Sequence, residues 1–293
     1  MALQLTARKW VYLIILSIIW GSSFILIKKG LNGLTPLQLG SARTLIGGIF
    51  LLGVGSRHLK TIPRNKWKWI AIGGFVGTFI PTFLFAYAET EIDSAIVSVL
   101  NSTVPLLALI LGAVVFGIGW SRNQLVGLII GLLGSLGLIY AGAQYNADQN
   151  YWYASFVIIA CLCYAINVNL IKRYLQDVDA WGIATGNFVA ILLPAMIVYL
   201  ASGGSDLDYS WDSTAMSSLG WVVILAVLGT GVAKVMFNKL VQISSPIFAS
   251  SVTYVMPIIG LSWGLLDGET FSALQLVFML VIIVGVIWTN RRA

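Results

Sequence analysis

Two basic side chains stand where a basic side chain is costly. Arg43 lies about two turns inside an apolar run that opens near residue 36, and Lys234 lies about one turn inside the end of another that closes near residue 238. A full charge in hydrocarbon costs roughly 2.5–3.5 kcal/mol unless it is paired or hydrated. No Asp or Glu falls deep in any apolar run to pair with either. Two readings stand for both residues: they hold an anionic group, such as a carboxylate, carried by a bound small molecule, or they snorkel to the nearest polar boundary. For Arg43 a third is bracing of neighbouring helices through their backbone carbonyls.

A polar stripe accompanies these charges. Ser94, Ser98, Asn101, Ser102 and Pro105 fall on one helical face, and Ser250, Tyr254 and Pro257 repeat that face in a later run. Such stripes line wet cavities, or they join helices through small polar residues. Pro105 and Pro257 each lack a backbone donor and are expected to bend their helices as hinges; Pro81 and Pro194 are further proline sites. Thr78, Asn167 and Asn187 add neutral hydrogen-bonding groups. Trp20, Phe85, Tyr87, Tyr164 and Tyr254 lie deep enough to wall a cavity, whereas Trp10, Trp67, Trp69, Tyr151, Trp152 and Trp288 sit near run boundaries as interfacial anchors.

Other chemistries lack their residues. The single histidine, His58, lies in a basic loop, and no H-E-x-x-H, C-x-x-C or Walker A loop occurs. Neither a metal, a cofactor nor an enzymatic nucleophile with its base is expected. Cys161 and Cys163 point to different helical faces and read as packing residues. A proton-coupled antiporter commonly uses an intramembrane carboxylate or histidine; with none, a facilitator driven by its cargo gradient is expected.

The elements that must position these residues follow from composition. Of 293 residues, 58% are hydrophobic and 10% charged, against about 25% charged in an average globular chain. A soluble enzyme is excluded, as are disordered, fibrous and disulfide-stapled classes. A membrane-spanning helix needs about 20 mainly apolar residues. Ten such runs are expected, at 10–28, 36–56, 67–88, 94–116, 123–141, 151–171, 180–201, 217–238, 245–266 and 273–290. The first is too long for a cleavable signal peptide and has no evident cleavage site. With the N-terminus in the cytoplasm, thirteen of the 17 basic residues fall on the inner side and only Lys28 and Lys29 on the outer, while most acids are outer. The positive-inside rule thus predicts cytoplasmic N- and C-termini. The net charge of +6 is a feature of the inner leaflet, scattered along the membrane edge, and does not point to nucleic acid.

The two halves also match each other. At an offset of 152, Ser98, Pro105 and Gly112 meet Ser250, Pro257 and Gly264, Gly77-Thr78 meets Gly229-Thr230, and Phe85 meets Phe237. At 144, Trp20 meets Tyr164 and Lys28 meets Lys172; at 148, Gly137–Tyr140 meets Gly285–Trp288. Lys234 stands opposite Thr82, so it breaks the likeness. A five-helix unit has an odd number of crossings, so the second copy enters from the opposite side, the inverted architecture of many secondary transporters.

With Trp20-Gly21-Ser22-Ser23, Pro36, Arg43 and the two proline-glycine runs, the chain resembles the drug/metabolite transporter superfamily, its EamA-type branch in particular, over essentially its whole length. The resemblance implies an all-α polytopic fold of two inverted five-helix repeats, 1–146 and 147–293, with a central cavity between them. It also implies export or facilitated passage of small metabolites such as amino acids, by alternating access across the inner membrane. The expected binding set is Trp20, Arg43, Thr78, Phe85, Ser98, Asn101, Ser102, Tyr164, Asn167, Lys234, Ser250 and Tyr254. The expected partners are a zwitterionic or anionic small molecule and the lipid bilayer. Gly127, Gly131 and Gly134 form a seam of small residues, so the chain is expected to be a monomer or a weak homodimer. A carrier of nucleotide sugars or drugs, a channel or scaffold, and an intramembrane enzyme remain as alternatives.

Overall fold

A computed structural model describes residues 2–117, 121–145 and 148–289. Among the described residues the regular structure is helical throughout, without a strand. Eight helical segments are long and apolar enough to cross a membrane: α1 (Arg8–Leu31), α2 (Pro36–Thr61), α3 (Arg64–Ala88), α4 (Ser94–Val114), α6 (Tyr151–Tyr174), α7 (Ala180–Ala201), α8 (Thr214–Ile243) and α9 (Pro246–Leu266). Two further apolar helices are α5 (Arg122–Tyr145) and α10 (Ala273–Thr289). The chain is a polytopic membrane protein. Large apolar side chains such as Leu133, Leu193 and Leu280 are exposed on its outside, a surface that suits lipid and not water.

Polar residues set the ends of these apolar helices. Thr35 and Gln38 form a reciprocal capping box at the start of α2, with Pro36 in its first turn. Asp179 caps α7, Ser213 caps α8, and Ser245 caps α9 ahead of Pro246. Each cap occupies backbone donors that the bilayer could not satisfy.

The segments pack in a definite pattern. α5 lies along α10, α2 along α7, and α4 along α9. α1 packs on α9 and α8, while α6 packs on α4 and α3. α8 rests on α2, and α3 on α7. The glycine seam of α5 is filled from within the chain. Gly134 meets Ile282, Gly137 meets Phe278, and Gly285 of α10 lies against the backbone of Gly127 and Gly131. Dimerisation through that seam is therefore corrected: α10 already occupies it, because only glycine lets two backbones come this close.

Several helices are locally interrupted. α1 breaks at Ser22, α4 at Ser102–Thr103 and α9 at Ser251. Pro105 stands in the first turn of the second half of α4, where a missing N–H costs nothing. Pro257 lies inside the continuous helix Val252–Leu266, and the break in α9 precedes it by about two turns. In α3 and α8 the backbone widens into π-helical turns over Phe75–Phe79 and Leu225–Val232. These two turns contain the matched pairs Gly77-Thr78 and Gly229-Thr230.

A valine at Gly285 should push α10 off α5. Gly285→Val is expected to cost about 1–3 kcal/mol by overpacking, read as a lower melting temperature of the purified protein in detergent, with Gly53→Val, which has open space beside it, as the neutral control.

Candidate functional site

A cavity opens between α1, α2, α3, α4, α6, α8 and α9, with about 850 Å³ of empty space, part of it continuous with the outside. Nine of the twelve expected residues line it: Trp20, Arg43, Thr78, Phe85, Asn101, Tyr164, Asn167, Lys234 and Ser250. Ser98, Ser102 and Tyr254 do not. The Ser98 and Ser102 hydroxyls donate to the carbonyls of Ala95 (2.7 Å) and Val99 (2.6 Å) on their own helix, and Ser98 packs against Gly260 of α9. Ser98 thus sits at a helix contact, and Ser102 turns back on its own helix. Tyr254 packs on the apolar core away from the cavity.

The π turns supply the polar frame. In an α-helix the N–H four residues on would bond each carbonyl. Pro81, four residues beyond Gly77, has no N–H to offer. The Lys234 ammonium donates to that Gly77 carbonyl at 2.7 Å. In the matching turn of α8 the Trp20 indole N–H donates to the Gly229 carbonyl at 2.7 Å. Arg43 donates from Nε to the Thr230 hydroxyl at 2.7 Å, in the same π turn. Widened helical turns of this kind recur at functional sites because they present backbone groups to a side chain or ligand.

The aromatic wall has the same logic. Trp20 lies against Phe237 with ring centroids 5.0 Å apart, and Tyr164 stacks on Phe85 at 5.8 Å. These are matched pairs, since Trp20 corresponds to Tyr164 and Phe237 to Phe85. Glycine makes room for the frame: a Cβ at Gly77 would collide with the Asn167 side chain.

Charge in this cavity is of one sign. Arg43 and Lys234 are both buried, at 8% and 5% exposure, and no acidic residue lines the cavity. Two polar atoms of the wall, Thr78 Oγ1 and Asn167 Oδ1, are buried without a hydrogen-bond partner. Buried polar atoms rarely stay unpaired, and these two belong to residues that line the cavity. Thr82, Thr230, Phe237 and Thr253 also line the cavity and are absent from the expected set. All four were legible, because at the offset of 152 Thr82, Thr230, Phe237 and Thr253 are the repeat partners of Lys234, Thr78, Phe85 and Asn101.

At one end of the bundle a second polar cluster ties α1 and α4 to the loop before α10. Lys28 bonds Glu269 at 2.8 Å and Asp267 at 2.9 Å, and Lys29 pairs with Asp267. Glu269 also accepts from the Ser94 hydroxyl (2.7 Å) and from the backbone amides of Ser94 and Ala95. It therefore caps α4 from a distant loop. The two lysines hold the Asp267 carboxyl below its usual range. At the other end Lys66 bonds the Tyr174 carbonyl and Asp177, Lys172 bonds the Ser244 carbonyl, and His58 lies 2.8 Å from Asp179.

The profile of the EamA-like transporter family matches residues 8–140 and again 151–291. The chain belongs to the EamA-like transporter family. It is 30% identical over 280 residues to the "Uncharacterized inner membrane transporter YedA" of Escherichia coli (strain K12), covering 93% of this chain and 87% of that one. It is 24% identical over 275 residues to the "Probable amino-acid metabolite efflux pump" of Salmonella typhimurium, covering 92% and 90%. A solved structure titled "Crystal structure of protein" superposes with a TM-score of 0.70 at 16% identity, covering 97% of this chain and 96% of that chain, and so shares the fold. EamA-like proteins are transporters, and this membership identifies the chain as a transporter and not an enzyme.

Replacing Trp20 by Phe keeps the aromatic wall and removes one donor. Trp20→Phe is expected to cost about 1–2 kcal/mol by leaving the Gly229 carbonyl short of a partner, measured as a lower thermal midpoint in detergent.

Proposed function

We propose that this EamA-like transporter is a secondary carrier for zwitterionic or anionic small metabolites, amino acids foremost, exporting or equilibrating them across the inner membrane by alternating access. The observation that carries this reading is the pair of buried cations, Arg43 and Lys234, in a cavity without a counter-carboxylate. A carboxylate bound between them would supply the missing charge. The unpartnered Asn167 Oδ1 accepts hydrogen bonds, and Thr78 Oγ1 both accepts and donates. Together they suit an ammonium group, so the same wall can hold both ends of an amino acid. The aromatic walls would take its apolar part. The printed name of the Salmonella typhimurium relative agrees with this substrate class.

The architecture we infer is ten crossings in two inverted repeats, 1–146 and 147–293, with N- and C-termini cytoplasmic. Three observations support it. The family profile matches twice, once in each half. Exchanging each helix for the one five places on maps the packing onto itself: α1 on α9 becomes α6 on α4, α3 on α6 becomes α8 on α1, and α3 on α7 becomes α8 on α2. The π turns and the aromatic pairs coincide under the same exchange. Orientation rests on the basic bias, which puts the Lys28 cluster on the outer side. Two related halves of similar stability are what allows one cavity to open first to one side and then to the other.

Lys234→Met keeps the length of the side chain and removes its charge. Loss of a hydrogen bond to a charged group is worth roughly 1.5–3 kcal/mol, so uptake of amino acids into proteoliposomes should fall about tenfold or more while the protein still purifies folded. Wild-type uptake in this variant would overturn the assignment.

A further inference from the structure

Glu89 is the first residue past α3, and the structure buries it to 8% exposure. Neither carboxylate oxygen has a partner within strict hydrogen-bond geometry, and the Lys28 backbone amide is the one donor near enough to favour the charged form. The charged groups that face it are Lys28 from α1, Arg43 from α2 and Glu269 from the loop before α10. Glu91 and Asp93 follow it in its own turn. The outer half of α6, which packs on α3, contributes tyrosines and no charged side chain. Of the two cations, Lys28 is held by Asp267 and Glu269, and Arg43 donates from Nε to Thr230 and not to Glu89.

An ionised carboxylate with so little hydrogen bonding is not sustained at such depth; it takes up a proton instead. Burial, reinforced by the negative charge of Glu269, pushes the Glu89 carboxyl well above the usual carboxylate range, against the opposing pull of Arg43 and Lys28. We propose that Glu89 is a proton-binding site of this carrier, holding a proton while the Lys28–Asp267–Glu269 cluster is closed and releasing it to the outer water when that cluster parts. Parting would admit water to Glu89 and free Lys28 to stabilise the carboxylate. The proton moves between Glu89 and bulk water, with no other bond made or broken. The sidedness rests on the orientation proposed above, and the proton site itself does not depend on the cargo. The facilitator expected from the sequence would then respond to outer pH through a residue that reads, in sequence, as a loop acid.

The test is an infrared pH titration of the purified full chain in phosphatidylethanolamine–phosphatidylglycerol vesicles, without cargo. At about pH 7 the wild type should show a protonated-carboxyl band that Glu89→Gln lacks and Glu91→Gln keeps. Lys28→Met opens the cluster. It should lower the midpoint of that band by about one pH unit or more, a tenfold loss of proton affinity. Loss of a nearby positive charge alone would raise it. Glu89→Gln mimics the neutral acid and should fold. The native chain retains a proton that the unfolded chain gives up, so wild-type melting should fall relative to Glu89→Gln as the pH rises from about 5 towards the raised pKa. The proposal is overturned by a wild type without the band at about pH 7, by an undiminished band in Glu89→Gln, or by a midpoint that rises or stays fixed in Lys28→Met. Because no cargo is present, these results stand apart from any failure of the amino-acid assignment.

Discussion

The cavity of this transporter is organised around positive charge that the protein does not neutralise. Arg43 and Lys234 are both buried, and no carboxylate lines their cavity. Inside a bilayer such an arrangement is stable only if the cations are wet, hydrogen-bonded or joined by an anion from outside. The structure supplies the second of these in part. Lys234 holds the Gly77 carbonyl and Arg43 holds the Thr230 hydroxyl, which fixes the position of each charge without cancelling it.

That fixing depends on a backbone feature present in both halves. Pro81 leaves Gly77 without the donor that a regular α-helix would direct at it, and a lysine from the opposite half takes the position. In the other half the tryptophan at residue 20 donates to Gly229, the repeat partner of Gly77. Each half therefore completes a widened turn of the other. The halves are locked at matched places by unlike donors, one charged and one neutral. The difference gives the cavity a direction, with charge concentrated towards Lys234, in a frame otherwise close to symmetric. The ends of the bundle differ as well. Salt bridges to Asp267 and Glu269 join helices at the Lys28 end, whereas at the other Lys66 and Lys172 bond backbone carbonyls beside the Lys66–Asp177 and His58–Asp179 pairs.

Much of this was legible in the residues. Hydrocarbon demands long apolar runs, so helix positions could be read directly; Thr35 starts α2 where the run begins, and the ends drifted by a few residues where capping, as at Ser213, outweighed hydropathy. The repeat offset pointed to Gly77 and Gly229, and it carries Thr78, Phe85, Asn101 and Lys234 onto Thr230, Phe237, Thr253 and Thr82. What could not be read was the difference between a polar face on a cavity and a polar face on a neighbouring helix. Ser98 and Ser102 share a stripe with Asn101, yet only Asn101 reaches the cavity, because the α4 backbone breaks just after it and α9 approaches closely through Gly260. Glu89 and Glu269 read as loop acids, since nothing in a one-dimensional pattern reveals that a distant loop folds back to cap α4. The π turns leave no local signature beyond a proline after the first of them.

The central claim is that the paired cations read negative charge on the cargo. The most direct measurement is calorimetric titration of the purified wild type with a panel of amino acids and organic acids, each matched with its neutral amide. The account predicts that any compound that binds loses most of its affinity when its carboxylate becomes an amide. Equal binding of a carboxylate and its amide would contradict it, and the two buried charges would then have to be explained by packing alone.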